Sequence, residues 1–251
     1  MVPHWRIDCP TGPLIMNMKV LFDSSDNPHP EAYVKKCVTA FGRSYSLTVQ
    51  EIIRETEDRI DEAIFLSNAA KLMSNFKMTR RGPFKGVGFS RGKGPDNDQG
   101  ILSDSWKTIG ESVLDLKQFL ISRPNTNRSR VLVEISEAER KHVAEQLWFM
   151  FKRLLPLCMS ETSWGLVGAS KLLFSALPEV ALPVDNNQWK KLFQTVDYSD
   201  VICLMAAEII EWEKLTGQRI DDCDPKTSTL PAIYNVMAME AREIKTGKRS
   251  D

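Results

Sequence analysis

The sequence predicts an all-α, mostly helical fold, a compact helical bundle of one unit or two lobes. Three observations predict it. Apolar residues recur every three or four positions through most of the chain, the spacing that gathers them on one face of a helix. Capping-box patterns, such as Ser136-x-x-Glu139, stand before several of these runs, with prolines or glycines past their ends. No ladder of strictly alternating apolar and polar residues appears.

Residues 1–28 are punctuated by Pro3, Pro10, Pro13 and Pro28 and read as irregular, with a short strand around Ile15–Phe22 as the alternative. A first helix is expected over 30–41, opened by Pro30 and closed by Gly42. Thr48-x-x-Glu51 predicts the start of a longer helix reaching Met73, with Ile52, Ile53, Ile60, Ile64 and Leu72 at helical spacing. Residues 74–100 break the pattern with six glycines and two prolines, which a packed helix does not tolerate. Leu102, Trp106, Ile109, Val113, Leu116 and Leu120 then form one continuous apolar face, with Ser103 or Asp104 as cap. Val131–Ile135 reads as a short extended piece. Ser136 opens a helix that Pro156 should end, and further helices are expected at 166–176, 186–195, 198–216 and 229–246, with Gly217 and Gly247 where a left-handed C-terminal cap wants glycine. The chain thus divides into a helical region over 1–75, a Gly-rich basic loop or linker over 76–100, and a helical domain over 101–251.

Composition narrows the function classes. An apolar fraction of 42% and a charged fraction of 26% suit a globular protein. Lys+Arg and Asp+Glu balance at 33 each, so any contact with nucleic acid must use a local patch. The five cysteines lack metal-knuckle spacing and are odd in number, and the three histidines are scattered. No cofactor and no metal site is expected, and a cytoplasmic location is. The N-terminus lacks a signal-peptide core, and no apolar run is long enough to span a membrane, so no membrane partner is expected. Dinucleotide, Walker-type and Gly-x-Ser-x-Gly motifs are missing.

Three constellations can carry chemistry. In the first, Trp164-Gly165-Leu166-Val167-Gly168-Ala169-Ser170-Lys171 opens a helix. A glycine turn at a helix start leaves backbone N–H groups facing outward, where they and the helix dipole attract an anion. Lys171 would add charge in or just beyond the first turn, and Asp185 would open the next helix. The plain alternatives are a solvated Lys171 and an Asp185 that only caps, since Asp185-x-x-Gln188 is itself a capping box. In the second, Lys77, Arg80, Arg81, Lys85, Arg91 and Lys93 fall within 17 residues, interleaved with Phe76, Phe84 and Phe89. Such a loop suits nucleic acid, with charges on phosphates and rings on bases. Its alternative is a solvated loop whose phenylalanines pack onto the body. In the third, Glu51, Glu55, Asp58 and Glu62 share a helix face that could hold metal ions, or could simply be solvated and paired with Arg54 and Arg59.

The run from Gly165 to Trp189, GLVGASKLLFSALPEVALPVDNNQW, resembles the helix-hairpin-helix DNA glycosylase superfamily around its hairpin, lysine and Val-Asp step. The resemblance covers about a tenth of the chain. Its glycines stand three apart, and 14 residues separate Lys171 from Asp185, a shorter interval than the family's. It implies that Gly165, Gly168 and Ser170 grip a DNA phosphate, that Lys171 attacks the sugar and that Asp185 assists. The expected function is therefore a nucleic-acid-binding protein with a helix-hairpin-helix-like module, with or without glycosylase-like activity, and with DNA as partner. Arg80, Arg81, Lys85, Arg91 and Lys93 would add phosphate contacts. The alternatives are a helical protein–protein interaction module with a protein partner, and a carboxylate-metal phosphohydrolase.

Overall fold

The structure is a computed structural model and describes residues 20–40, 43–90, 94–95, 100–123, 128–161, 163–224 and 228–245. Among these, nine α-helices are joined by short helical turns and two hairpins of two-residue strands, so the fold is mostly α as expected.

α1 (Glu31–Ala40) begins just after Pro30. The expected helix from 48 to 73 is instead two, α2 (Arg43–Thr56) and α3 (Glu62–Asn75). Thr56 bonds its hydroxyl back to the Ile52 carbonyl at 2.8 Å, and the exposed Glu57-Asp58-Arg59 turn follows. Asp61 then captures the Ile64 N–H at 2.9 Å and starts α3 afresh. Thr48 and Glu51 therefore lie inside α2 and cap nothing.

α4 (Gly100–Ile121) carries the expected apolar face, but it starts early enough that Ser103 and Asp104 lie within it rather than capping it. Val131–Glu134 is one turn of helix, α5, not an extended piece. Ser136 and Glu139 form the expected reciprocal box at the start of α6 (Glu137–Cys158). Pro156 sits inside the last turn of α6 and does not end it.

The helix continues into a hairpin, β3 (Met159–Ser160) with β4 (Ser163–Trp164). An earlier hairpin, β1 (Phe89–Ser90) with β2 (Gly94–Pro95), lies in the glycine-rich stretch. α7 (Leu166–Ala176) follows, then a π-helical stretch (Gln188–Phe193), α8 (Tyr198–Thr216) and α9 (Leu230–Lys245). Gly217 closes α8 in the left-handed conformation at φ +66. The part of the Ile15–Phe22 expectation below residue 20, Gly42 and Gly247 lie outside the described residues.

α6 packs against α4, α7 and α8, and α7 is wedged between α6 and α3. Every residue from Gly168 to Val184 is buried. The N-terminal helices pack on C-terminal ones, α3 on α7 and α1 on α9. Glu208 of α8 accepts the Val20 and Leu21 N–H groups at 2.5 and 2.6 Å and the Tyr234 hydroxyl at 2.6 Å, tying residues 20–21 to the core. Two buried ion pairs, Lys117–Glu179 and Arg130 with Glu213 and Asp221, join distant segments.

Candidate functional site around Lys171

α7 begins where the chain has little room. Gly165 takes φ +81, and a Cβ there would lie 2.9 Å from the Leu155 carbonyl oxygen. Both facts call for glycine. Its N–H donates to the Ser163 hydroxyl at 3.2 Å. At Gly168 a Cβ would come within 2.7 Å of the Phe84 ring, so this glycine makes space for Phe84. Ser170 is buried and its hydroxyl bridges Val184, accepting from the N–H and donating to the carbonyl at 3.1 Å each. Within the fold, then, Gly168 and Ser170 serve packing and anchor the 182–185 segment to α7.

Lys171 is not a solvated helix residue. It is 2% exposed, and its ammonium sits 3.6 Å from the centre of the Phe76 ring. Among the described residues no hydrogen bond and no ion pair within 4 Å reaches it. Burial pushes its pKa from 10.5 down to about 7, with the Asp185 carboxylate opposing the fall. Burial thus favours the neutral amine over the ammonium.

Asp185 does cap. Its carboxylate accepts the Gln188 N–H at 2.8 Å, and the Gln188 side-chain oxygen accepts the Asp185 N–H at 2.7 Å. The Gln188 amide then donates to the Asn235 side-chain oxygen at 3.0 Å, and Asn235 donates to the Tyr45 hydroxyl at 2.7 Å. Tyr45 meets Phe76 edge-on at 5.6 Å, which closes the circuit. Hydrogen bonds and a ring contact thus link the 185–188 turn, α9, α2 and the end of α3, and Lys171 of α7 meets this circuit at Phe76 and Asp185. Burial raises the Tyr45 phenol well above its ordinary range, so it stays protonated.

The basic loop divides. Arg80 ends the short helical turn Met78–Arg80, Arg81 and Lys85 flank the next one, Gly82–Phe84, and all three are exposed. Arg91 and Lys93 lie outside the described residues. Phe84 is buried against Gly168, so its ring does not stand free to stack on a base, while the half-buried Phe76 lies over Lys171. The acidic face of α2 does not persist. Asp58 and Glu62 fall beyond its end, while Lys71 pairs with Glu55 at 2.8 Å and reaches Glu51 at 3.7 Å. Among the described residues no group of three or more His, Cys, Asp or Glu is placed to hold a metal ion. No helix there is long and apolar enough to cross a membrane.

Sequence reasoning found Lys171 and Asp185 but missed Tyr45, Phe76 as the cover of the amine, and Asn235. Gln188 was visible only as half of a capping box. Tyr45 and Asn235 carry no local signal, because what selects them is a partner 190 residues away. No family model, no curated protein and no solved structure matches the chain.

Proposed function

We propose that the chain is a nucleic-acid-binding protein with a helix-hairpin-helix-like module, acting on DNA in the manner of a glycosylase, with Lys171 as nucleophile and Asp185 as its partner. One observation carries the reading: Lys171 is a buried lysine, held near neutrality by burial, with a carboxylate at hand and no hydrogen bond to occupy it among the described residues. A lysine is a nucleophile only as the free amine, and desolvation is a recognised way to supply it at neutral pH.

The Nζ lone pair would attack C1′ of a nucleotide sugar. The bond from C1′ to the base breaks and its electron pair leaves with the base. Asp185 takes the proton shed by the newly bonded nitrogen and passes it to the departing base. The nitrogen lone pair then forms the C1′–N double bond as the C1′–O4′ bond breaks, and O4′ takes a proton from water, which leaves a protonated imine and hydroxide. The reading requires Phe76 to leave its place over the amine. Phe76 ends α3 and is followed by Lys77 at φ +57, a conformation that breaks the helix there.

A helical protein interaction module is the second reading, and the 2% exposure of Lys171 beneath Phe76 favours it. Borohydride trapping on DNA containing an abasic site separates the two. Wild type should form a covalent adduct, Lys171→Met should form none, and Asp185→Asn should form much less. Loss of salt-dependent DNA binding at low ionic strength in the wild type would leave the interaction module as the better account.

A further inference from the structure

We infer that the β3–β4 hairpin is where the chain holds an unpaired stretch of a nucleic-acid strand, with Trp164 stacked on a base and the neighbouring cations on its phosphates. The inference rests on the DNA reading above and adds the contact surface and the kind of strand it takes.

Trp164 is 77% exposed, more than any other large apolar side chain among the described residues. Tryptophan is ordinarily among the most buried residues on average. Here the two-residue strands hold it out, paired directly across from Met159, itself 54% exposed. The hairpin thus offers a flat ring and a polarisable neighbour to solvent, immediately before the Gly165 turn that starts the Lys171 helix.

Cations flank this apolar tip. The Gly82–Phe84 turn packs on β3 and on α6, and a Cβ on Gly82 would be 3.8 Å from the Ser160 hydroxyl. Arg81 and Lys85 bracket that turn and Arg80 precedes it, all three exposed. The last turns of α6, which lead into β3, expose Lys152 and Arg153 over the Trp148 and Phe149 rings at 5.2 and 5.4 Å. None of these five has a carboxylate partner within 4 Å among the described residues. Glu161, in the hairpin turn, is the single acid in Met159–Trp164. An exposed aromatic beside cations that no carboxylate neutralises complements a strand that presents both bases and phosphates. A base inside an intact duplex has no free face for the ring, so a strand with unpaired bases is the fitting partner.

Fluorescence anisotropy of labelled oligothymidylate and of a fully paired duplex, read across salt, tests this. Oligothymidylate should bind more tightly than the duplex. Trp164→Ala should weaken oligothymidylate binding about tenfold or more, as expected for loss of a base–aromatic stack, while Trp164→Phe keeps most of the affinity. Both variants should melt with the wild type, because the ring is largely in solvent. Lys85→Ala and Arg81→Ala should each lower the salt slope by roughly 0.7 on a single strand, whereas Trp164→Ala leaves the slope unchanged. Wild-type binding with no loss in Trp164→Ala overturns the hairpin assignment and leaves the DNA reading standing. No salt-dependent binding by the wild type overturns both. Equal displacement by polyglutamate of matched charge would show a surface that reads charge alone and would also overturn the stacking.

Discussion

Replacing Lys171 with Met should stabilise the protein, and by an amount that shrinks as pH rises. Met keeps the length and apolar stem of the side chain and removes the ammonium. In the unfolded chain the lysine titrates near 10.5, whereas in the fold burial lowers it to about 7. Between those values the unfolded state binds more protons than the folded one, so Lys171 makes stability rise with pH across this window. At about 1.4 kcal/mol per pH unit, holding this lysine in the fold costs on the order of 4 kcal/mol at neutral pH. The pull of Asp185 offsets part of the desolvation, and the lowered pKa already contains it; the contact with Phe76 acts in the same direction. Urea unfolding of wild type and Lys171→Met at several pH values isolates the effect, because every other titrating group is common to both. The variant should be more stable at pH 7, and its advantage should narrow by about 2 kcal/mol on going to pH 9. A difference that stays flat across this range, or a less stable variant at pH 7, would refute the account of a desolvated amine. It would mean that Lys171 keeps its charge in the fold, and the nucleophile reading would fall with it.

Two more perturbations probe the surroundings. Gly168→Ala places a methyl 2.7 Å from the Phe84 ring and should destabilise by about 1–3 kcal/mol, lowering the calorimetric midpoint by several degrees; Phe84→Leu in the same chain should relieve part of that cost, and strict additivity of the two changes would show that they do not touch. Glu208 has its pKa raised from 4.5 to about 7, chiefly by burial. The folded state therefore holds its proton more firmly, and its contribution to stability is present at low pH and is lost as pH rises from about 4.5 through 7. Glu208→Gln keeps a side-chain oxygen for the Val20 and Leu21 N–H groups, so urea unfolding over this range should show a flatter pH dependence than wild type; an unchanged dependence would place the titration elsewhere.

Much of the helical layout was legible in the sequence because its causes are local. Ser136 and Glu139 cap α6 through groups three residues apart, and the α4 face repeats with the helical period. Gly217 marks the end of α8 because glycine enters the left-handed region without a Cβ clash. Where local signals compete, the reading went astray. Thr48 and Glu51 satisfy the capping pattern, yet the chain is already helical from Arg43, and Asp61 restarts a helix that periodicity alone runs straight through. Pro156 looks like a terminator but lies in a final turn that tolerates it.

For the site, Lys171 and Asp185 could be picked out as residues, but not their physical state. Nothing near Lys171 in the chain distinguishes a solvated lysine from one beneath a phenylalanine 95 positions earlier. Its lowered pKa comes from exclusion of water by α3, α6 and the segment around Asp185, which is a property of packing. Gly168 likewise gives no sign in the sequence of the Phe84 ring that packs against it. Trp164 is the converse case, apolar by composition and left in solvent by a two-residue hairpin. The sequence by itself determined most of the helical segments, since capping and periodicity act over a few residues. Which side chains lose their water, and so which can act as a neutral amine or an exposed ring, was decided only when segments far apart in the chain came together.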